Sequence, residues 1–343
     1  MQTPPHPRRT LSALLTAALV AALLSLSWAG GSPARAAAGD GSVSDPDIVY
    51  AGRWDTSSGT AAVPHWSGAY LQTAFTGTTV KVRARDAVNF YASVDGGPDV
   101  FHAGVRGTVN LTPHPLSPGT HSLRISYRSG DTVFQGLVLD SGARTVAPAV
   151  PSGLVEFVGD SITVGTTSSQ NARTAYGWLI GERLGTEHTQ VAQGGACLVA
   201  TADGCVGLEQ QFGRLNPNSP TPDWDFSRYQ ANAVVINLGT NDVGHGVGST
   251  QFQSAYSSLL RRVRAAYPRA WIFALETFRG RYVPQTEAAV QAAVDGGDSR
   301  LSFVDTTGWL GSGDLTDSVH PNDQGHRVIA DRLAPIIAAR IGG

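Results

Sequence analysis

Between residues 45 and 145 apolar and polar positions alternate in short runs. KVRAR (81–85, with Val80 before it) puts apolar and charged residues on opposite faces, and NFYASVDGG (89–97) ends in an Asp-Gly turn signal. HSLRISY (121–127) alternates again, and TVFQGLVL (132–139) follows. Helical periodicity is absent. Short strands broken by Gly and Pro predict an all-β sandwich, jelly-roll-like, over 45–145. A proline-bearing link, RTVAPAVPSG (144–153), ends it. From residue 152 to 343 the texture changes. LVEFV (154–158), TQVAQ (189–193), AVVINL (233–238), WIFALE (271–276) and LSFVD (301–305) are continuous apolar or strand-like runs. Between them, AYGWLIGERL (175–184), TEAAVQAAVDG (286–296) and the run 251–268 carry a helical period. Phe252, Tyr256, Leu259, Leu260 and Val263 form one stripe, and Ile329, Leu333, Ile336 and Ile337 form another in a last helix. Buried strands alternating with helices predict a parallel sheet covered on both faces, an α/β/α sandwich of flavodoxin-like order.

Ligands of such sheets sit beyond the carboxyl ends of the strands. Three short stretches follow predicted strands there: GDSIT (159–163), QGGA (193–196) and GTND (239–242). A fourth, DSVHP (317–321), precedes the last helix. A serine is a useful nucleophile only beside a base. His320 can take the proton of Ser161 and return it, and Asp317, three residues earlier, can orient the imidazole. Pro321 disfavours helix at His320. Attack on an ester carbonyl also needs donors for the oxyanion: the backbone N–H of Ser161, an N–H of the QGGA glycines, and the Asn241 amide. Each residue also has a plainer reading. Ser161 fits a helix N-cap, Asn241 a turn residue, and Asp160 and Asp242 acceptors of backbone N–H groups that hold loops. The convergence of four stretches at one sheet edge favours chemistry for Ser161, Asn241 and His320.

Together these stretches resemble the GDSL-type, or SGNH, hydrolases, over residues 154 to 340. The Ser, Gly, Asn and His of that family's four blocks match Ser161, Gly195, Asn241 and His320, and its C-terminal Asp-x-x-His matches Asp317 and His320. The resemblance implies a three-layer α/β/α fold and hydrolysis of esters. YAGRWD (50–55), the WSGAYL region from Trp66, FTGTTVKV (75–82) and VDGGP (94–98) look like the N-terminal sandwich of carbohydrate esterase family 2. That family deacetylates plant cell-wall polysaccharides such as xylan and glucomannan, which implies an acetylated polysaccharide or oligosaccharide as partner and no cofactor. Two departures matter. The second block reads Gln193-Gly194-Gly195, without the usual Ser or Asn, so Gly194 competes with Gly195 for the oxyanion role. Some members of carbohydrate esterase family 2 lack the triad acid. Here Asp317 keeps the standard spacing, with Asp314 and Asp305 as less well-spaced alternatives.

Charge and cysteines narrow the class further. The chain of 343 residues has a formal net charge of −2 and 15% charged residues, which gives no footprint for nucleic acid or an acidic membrane. Residues 1–38 read as a secretory signal: Arg8 and Arg9, an apolar run, then SPARAAAGD with cleavage after Ala36 or Ala38. The alternative for that run is an uncleaved anchor. The paired arginines also allow twin-arginine export. A secreted protein without stable membrane association after cleavage is expected. Cys197 and Cys205 lie close in one loop-like segment, without further metal ligands nearby, and are expected to form a local disulfide. Trp309 and His245 are the side candidates for a substrate cleft, and His326 is expected to be structural. Trp54, Trp66, Trp178, Trp224 and Trp271 are expected mostly in the core, and Asn110-Leu111-Thr112 is a chance-frequent glycosylation sequon.

Overall fold

A computed structural model describes residue 1, residues 38–127 and residues 132–342 of the chain. The expected leader, apart from its two end residues, lies outside the described residues. The first half is antiparallel. Its strands are β1 (Val49–Ala51), β2 (Trp54–Asp55), β3 (Val63–Pro64), β4 (Tyr70–Gly77), β5 (Val80–Val94), β6 (Val100–Asn110), β7 (Gly119–Tyr127), β8 (Phe134–Leu139) and β9 (Thr145–Val146). The main sheet runs β1-β4-β7-β5-β6, with β8 on β5 and β9 on β4, while β2 and β3 pair separately. The alternating stretches at 81–85 and 89–94 belong to one long strand, β5, whose register shifts between Ala84 and Phe90. Such an irregularity bends a strand, so β5 serves β8 with its first part and β7 with its last. Apolar faces close on Leu71, Phe75, Phe90, Ile125 and Phe134, all essentially inaccessible. The periodicity does not announce β4 and β6; β6 is an edge strand exposed along most of its length.

The second half contains β10 (Leu154–Gly159), β11 (Glu187–Ala192), β12 (Ala233–Asn237), β13 (Trp271–Leu275) and β14 (Leu301–Val304). Its helices are α1 (Ser161–Val164), α2 (Tyr176–Leu184), α3 (Leu208–Gln211), α4 (Ser249–Ala266), α5 (Val283–Asp295) and α6 (Asp323–Ile341). All strand pairs are parallel, in the order β11-β10-β12-β13-β14, the flavodoxin-like arrangement. Side chains leave the sheet alternately. Val158, Val234, Ile236 and Ile272 meet the stripes of α4 and α5, and Val155, Phe157, Val235 and Phe273 meet α2 and α6. Three layers follow from this alternation. No helix among the described residues is long and apolar enough to cross a membrane.

The halves meet around a buried cation. Arg53, from the first half, has no accessible surface. It donates to the carbonyls of Phe212 and Arg214 and lies 3.6 Å from Glu156 on β10. The rings of Trp66, Phe212, Trp224 and Phe226 surround its guanidinium at 5.3–5.8 Å. Glu156 in turn accepts from the hydroxyls of Tyr229 (2.7 Å) and Tyr267 (3.0 Å).

Candidate functional site

All six residues of β10 are buried, and the strand ends in a turn that only glycine permits. A Cβ on Gly159 would lie 2.0 Å from the Thr163 hydroxyl and 3.0 Å from the Asn237 carbonyl, so its absence lets α1 fold back onto the strand end. Asp160, not Ser161, is the N-cap: its carboxylate accepts the Ile162 N–H at 2.9 Å. Ser161 is therefore the first residue of the helix, 7% exposed, with its hydroxyl free of capping duty.

That hydroxyl meets His320. The Nε2 atom of His320 lies 2.9 Å from Ser161 Oγ, and its Nδ1 atom lies 2.8 Å from Asp317 Oδ2. An ionised carboxylate only accepts, so Nδ1 carries the proton and Nε2 presents its lone pair to the serine hydroxyl. The other Asp317 oxygen accepts the N–H groups of Val319 (2.7 Å) and His320 (2.8 Å), which fixes the loop that aims the ring. The backbone N–H of His320, then its imidazole, hold the Asp317 carboxyl down to about 2. The alternative acids are engaged elsewhere: Asp314 accepts the Gly311 N–H at 2.8 Å, and Asp305 accepts the Thr307 N–H at 2.8 Å.

The glycine turn is tied to the end of β10, and Asn241 is tied to that turn. Gly195 has φ +75°, the left-handed region that favours glycine, whereas Gly194 is outside it. The turn closes with Ala196 N–H on the Gln193 carbonyl at 3.2 Å, and Gln193 N–H reaches the Gly159 carbonyl at 3.3 Å. Asn241 donates one amide hydrogen to the Ala196 carbonyl at 2.8 Å and keeps the second for another acceptor. Its neighbour Asp242 is fully buried and clamps the same loop: Oδ2 accepts Leu198 N–H at 2.9 Å, and Oδ1 accepts Val199 N–H at 3.0 Å. Cys197 and Cys205 form a disulfide with Cα atoms 5.9 Å apart, closing the loop further. Sequence reasoning missed the Ala196 carbonyl as the anchor of Asn241, since any residue type offers that oxygen. Burial raises both carboxyls behind the site, Asp160 to about 6 and Asp242 above its ordinary value.

The remaining candidates have partners of their own. His245 pairs with Asp203 at 2.8 Å and approaches the disulfide. Trp309 packs near Phe278 (ring centroids 6.4 Å apart) with the Arg332 guanidinium over it. His326 is buried in α6, where its Nδ1 accepts the Tyr176 N–H at 3.2 Å and burial lowers it to about 4. Trp54, Trp66, Trp178 and Trp224 are buried, whereas Trp271 is only partly so.

Both halves of the chain resemble known proteins. Residues 157–328 match the GDSL-like Lipase/Acylhydrolase family, and residues 50–149 match the Carbohydrate esterase 2 N-terminal family. The chain is 29% identical over 326 residues to the cellulase/esterase CelE of Acetivibrio thermocellus, covering 87% of this chain and 40% of that protein. It is thus similar to less than half the length of that relative. It is 25% identical over 322 residues to an acetylxylan esterase / glucomannan deacetylase of Cellvibrio japonicus, covering 85% of this chain and 88% of that one. Among solved structures, a family two carbohydrate esterase from Clostridium thermocellum superposes with a TM-score of 0.76 at 28% identity, over 86% of this chain and 99% of that chain.

Proposed function

For a chain that belongs to the GDSL-like lipase/acylhydrolase family, we propose a secreted serine esterase that removes O-acetyl groups from polysaccharides or oligosaccharides of the xylan and glucomannan type. The observation that carries this reading is the continuous hydrogen-bonded path from Asp317 through His320 to Ser161, at 2.8 and 2.9 Å. Ser161 Oγ attacks the acetyl carbonyl carbon while its proton passes to His320 Nε2. The tetrahedral oxyanion is received by the N–H groups of Ser161 and Gly195 and by the free amide hydrogen of Asn241. The C–O bond to the sugar then breaks, and His320 returns the proton to the departing sugar oxygen. Water repeats the cycle on the acetyl-Ser161 ester, releasing acetate and restoring the hydroxyl. Asp317 stays ionised and steadies the imidazolium.

The relatives support the substrate class. One carries the name acetylxylan esterase / glucomannan deacetylase, and the Clostridium thermocellum esterase was solved in complex with cellohexaose. The disulfide suits the oxidising compartment that the leader implies. The test is acetate release from acetylated xylan and acetylated glucomannan, beside hydrolysis of acetyl and octanoyl aryl esters. Acetyl turnover that Ser161→Ala abolishes is expected. Preference for octanoyl would make the protein a lipase of the same family, and full activity in Ser161→Ala would sink the mechanism.

A further inference from the structure

At the edge of the parallel sheet opposite Ser161, the starts of β12, β13 and β14 and the end of α6 enclose a pocket of about 370 Å³. The side chains of Arg269, Arg300 and Arg340 line it together with Trp271, and neither Asp nor Glu does. None of the three guanidinium groups makes an ion pair among the described residues, in a chain whose formal net charge is −2. The nearest acid in sequence, Asp298, is committed: it takes both Arg264 contacts at 2.9 Å and the backbone N–H of Arg300 at 3.1 Å. Arg340 alone has a local explanation, since it lies in the last turn of α6 and complements the helix dipole. That account does not reach Arg269 or Arg300.

We propose that this pocket binds the carboxylate of acidic sugar units, the uronate groups of a polysaccharide, separately from the ester-cleaving site. The proposal rests on the polysaccharide reading above for its ligand class. Three features match a uronate better than a bare anion. Two of the cations are held in place: Arg300 donates to the Arg269 carbonyl at 2.7 Å, and Arg340 sits 4.7 Å above the Trp271 ring, so little order is lost when a carboxylate arrives. Trp271 is partly exposed and lines the pocket, with Arg340 over its ring, so the part of the indole left uncovered can meet the C–H groups of a pyranose. The amides complete the set. Gln230 turns its NH₂ toward the Phe226 carbonyl, leaving its oxygen to accept. Asn232 takes the Leu154 N–H on its oxygen, leaving its NH₂ to donate. Hydroxyl groups need both. A nucleic-acid backbone would instead want an extended basic stripe, which a single pocket does not provide.

The full chain is run in native gels containing glucuronoxylan, the same xylan after carboxyl reduction, or dextran sulfate. Retardation by glucuronoxylan is expected, with little in the other two. In Arg269→Gln/Arg340→Gln, both exposed positions, binding should weaken by at least about tenfold, since the loss of even one of the two charge-assisted hydrogen bonds is worth that much. Hydrolysis of 4-nitrophenyl acetate by that variant should stay at the parent rate, which also reports correct folding. Equal retardation by the reduced xylan, equal retardation by dextran sulfate, or an unchanged double variant each overturns the proposal. Carboxylate-dependent retention by a protein that cleaves no acetyl ester would leave this site standing and remove the esterase reading instead.

Discussion

Asp242 supplies the sharpest test of the proposed oxyanion side. Its buried carboxylate receives the Leu198 and Val199 N–H groups, at 2.9 and 3.0 Å, immediately after the turn that carries Gly195. Asp242→Ala leaves both donors without a partner. A buried unsatisfied donor costs about 1–3 kcal/mol, so the variant should lose roughly 2–6 kcal/mol of folding stability. Asp242→Asn keeps one oxygen but turns an NH₂ toward the second donor, and should lose roughly half as much. The disulfide keeps the loop closed in either variant, so the remaining effect is displacement rather than unfolding. Displacement moves the Gly195 N–H and the Ala196 carbonyl that steadies Asn241. Loss of one oxyanion donor lowers turnover by about 10²–10³, so a partial loss of at least about tenfold in kcat is expected, with KM little changed. Urea unfolding gives the first quantity, and kinetics on 4-nitrophenyl acetate give the second. If Asp242→Ala keeps its unfolding midpoint and its kcat, the clamp contributes nothing and the reasoning is refuted.

Other expectations follow from single residues. Asp317→Asn, at an exposed position, should keep its Tm while kcat on acetyl esters falls by about 10⁴, because the amide favours the wrong imidazole tautomer. His326, lowered to about 4 from 6.5 by burial, stays neutral in the fold while the unfolded chain takes up a proton. Stability should therefore fall as pH drops from 6.5 toward 4, by about 3 kcal/mol from this residue, and His326→Gln should flatten that slope in denaturant titrations at several pH values. Arg53→Met strands Glu156 in the interior and should cost about 3–5 kcal/mol. Arg53→Met/Glu156→Gln, which keeps an oxygen for Tyr229 and Tyr267, should recover part of that loss in the same unfolding assay.

The parts of the site that come from short-range spacing were legible before any coordinates. Asp317 and His320 are three residues apart, and that spacing alone lets one side chain orient the other. Ser161 was legible as a residue at a strand-to-helix turn, but its apparent competition between capping and chemistry dissolves because Asp160 does the capping. The alternating strands β7 and β8 were visible, while β6 was not: an exposed edge strand has no buried face to impose a period. Long-range partners left no signal either. Arg53 stands in YAGRWD as a charge amid apolar neighbours, and nothing local says that its counterion lies on β10 or that four rings come from distant segments. Gly194 and Gly195 are equivalent in sequence, and only the backbone angles show that Gly195 adopts positive φ while Gly194 does not.

The cation at the join makes the two halves inseparable in practice. Trimming the chain at the proline-bearing link would open a raw wound on the α/β half: Phe212, Trp224 and Phe226 would face water, and Glu156 would lose its neutralising neighbour. Exposed aromatic surface of that kind invites aggregation. A foreign β-domain grafted at residue 150 would have to deliver a guanidinium to the same spot to heal it. The first half thus behaves less like an attached accessory than like the missing side of one interior, and recombination that reshuffles such domains should preserve this pair as a unit.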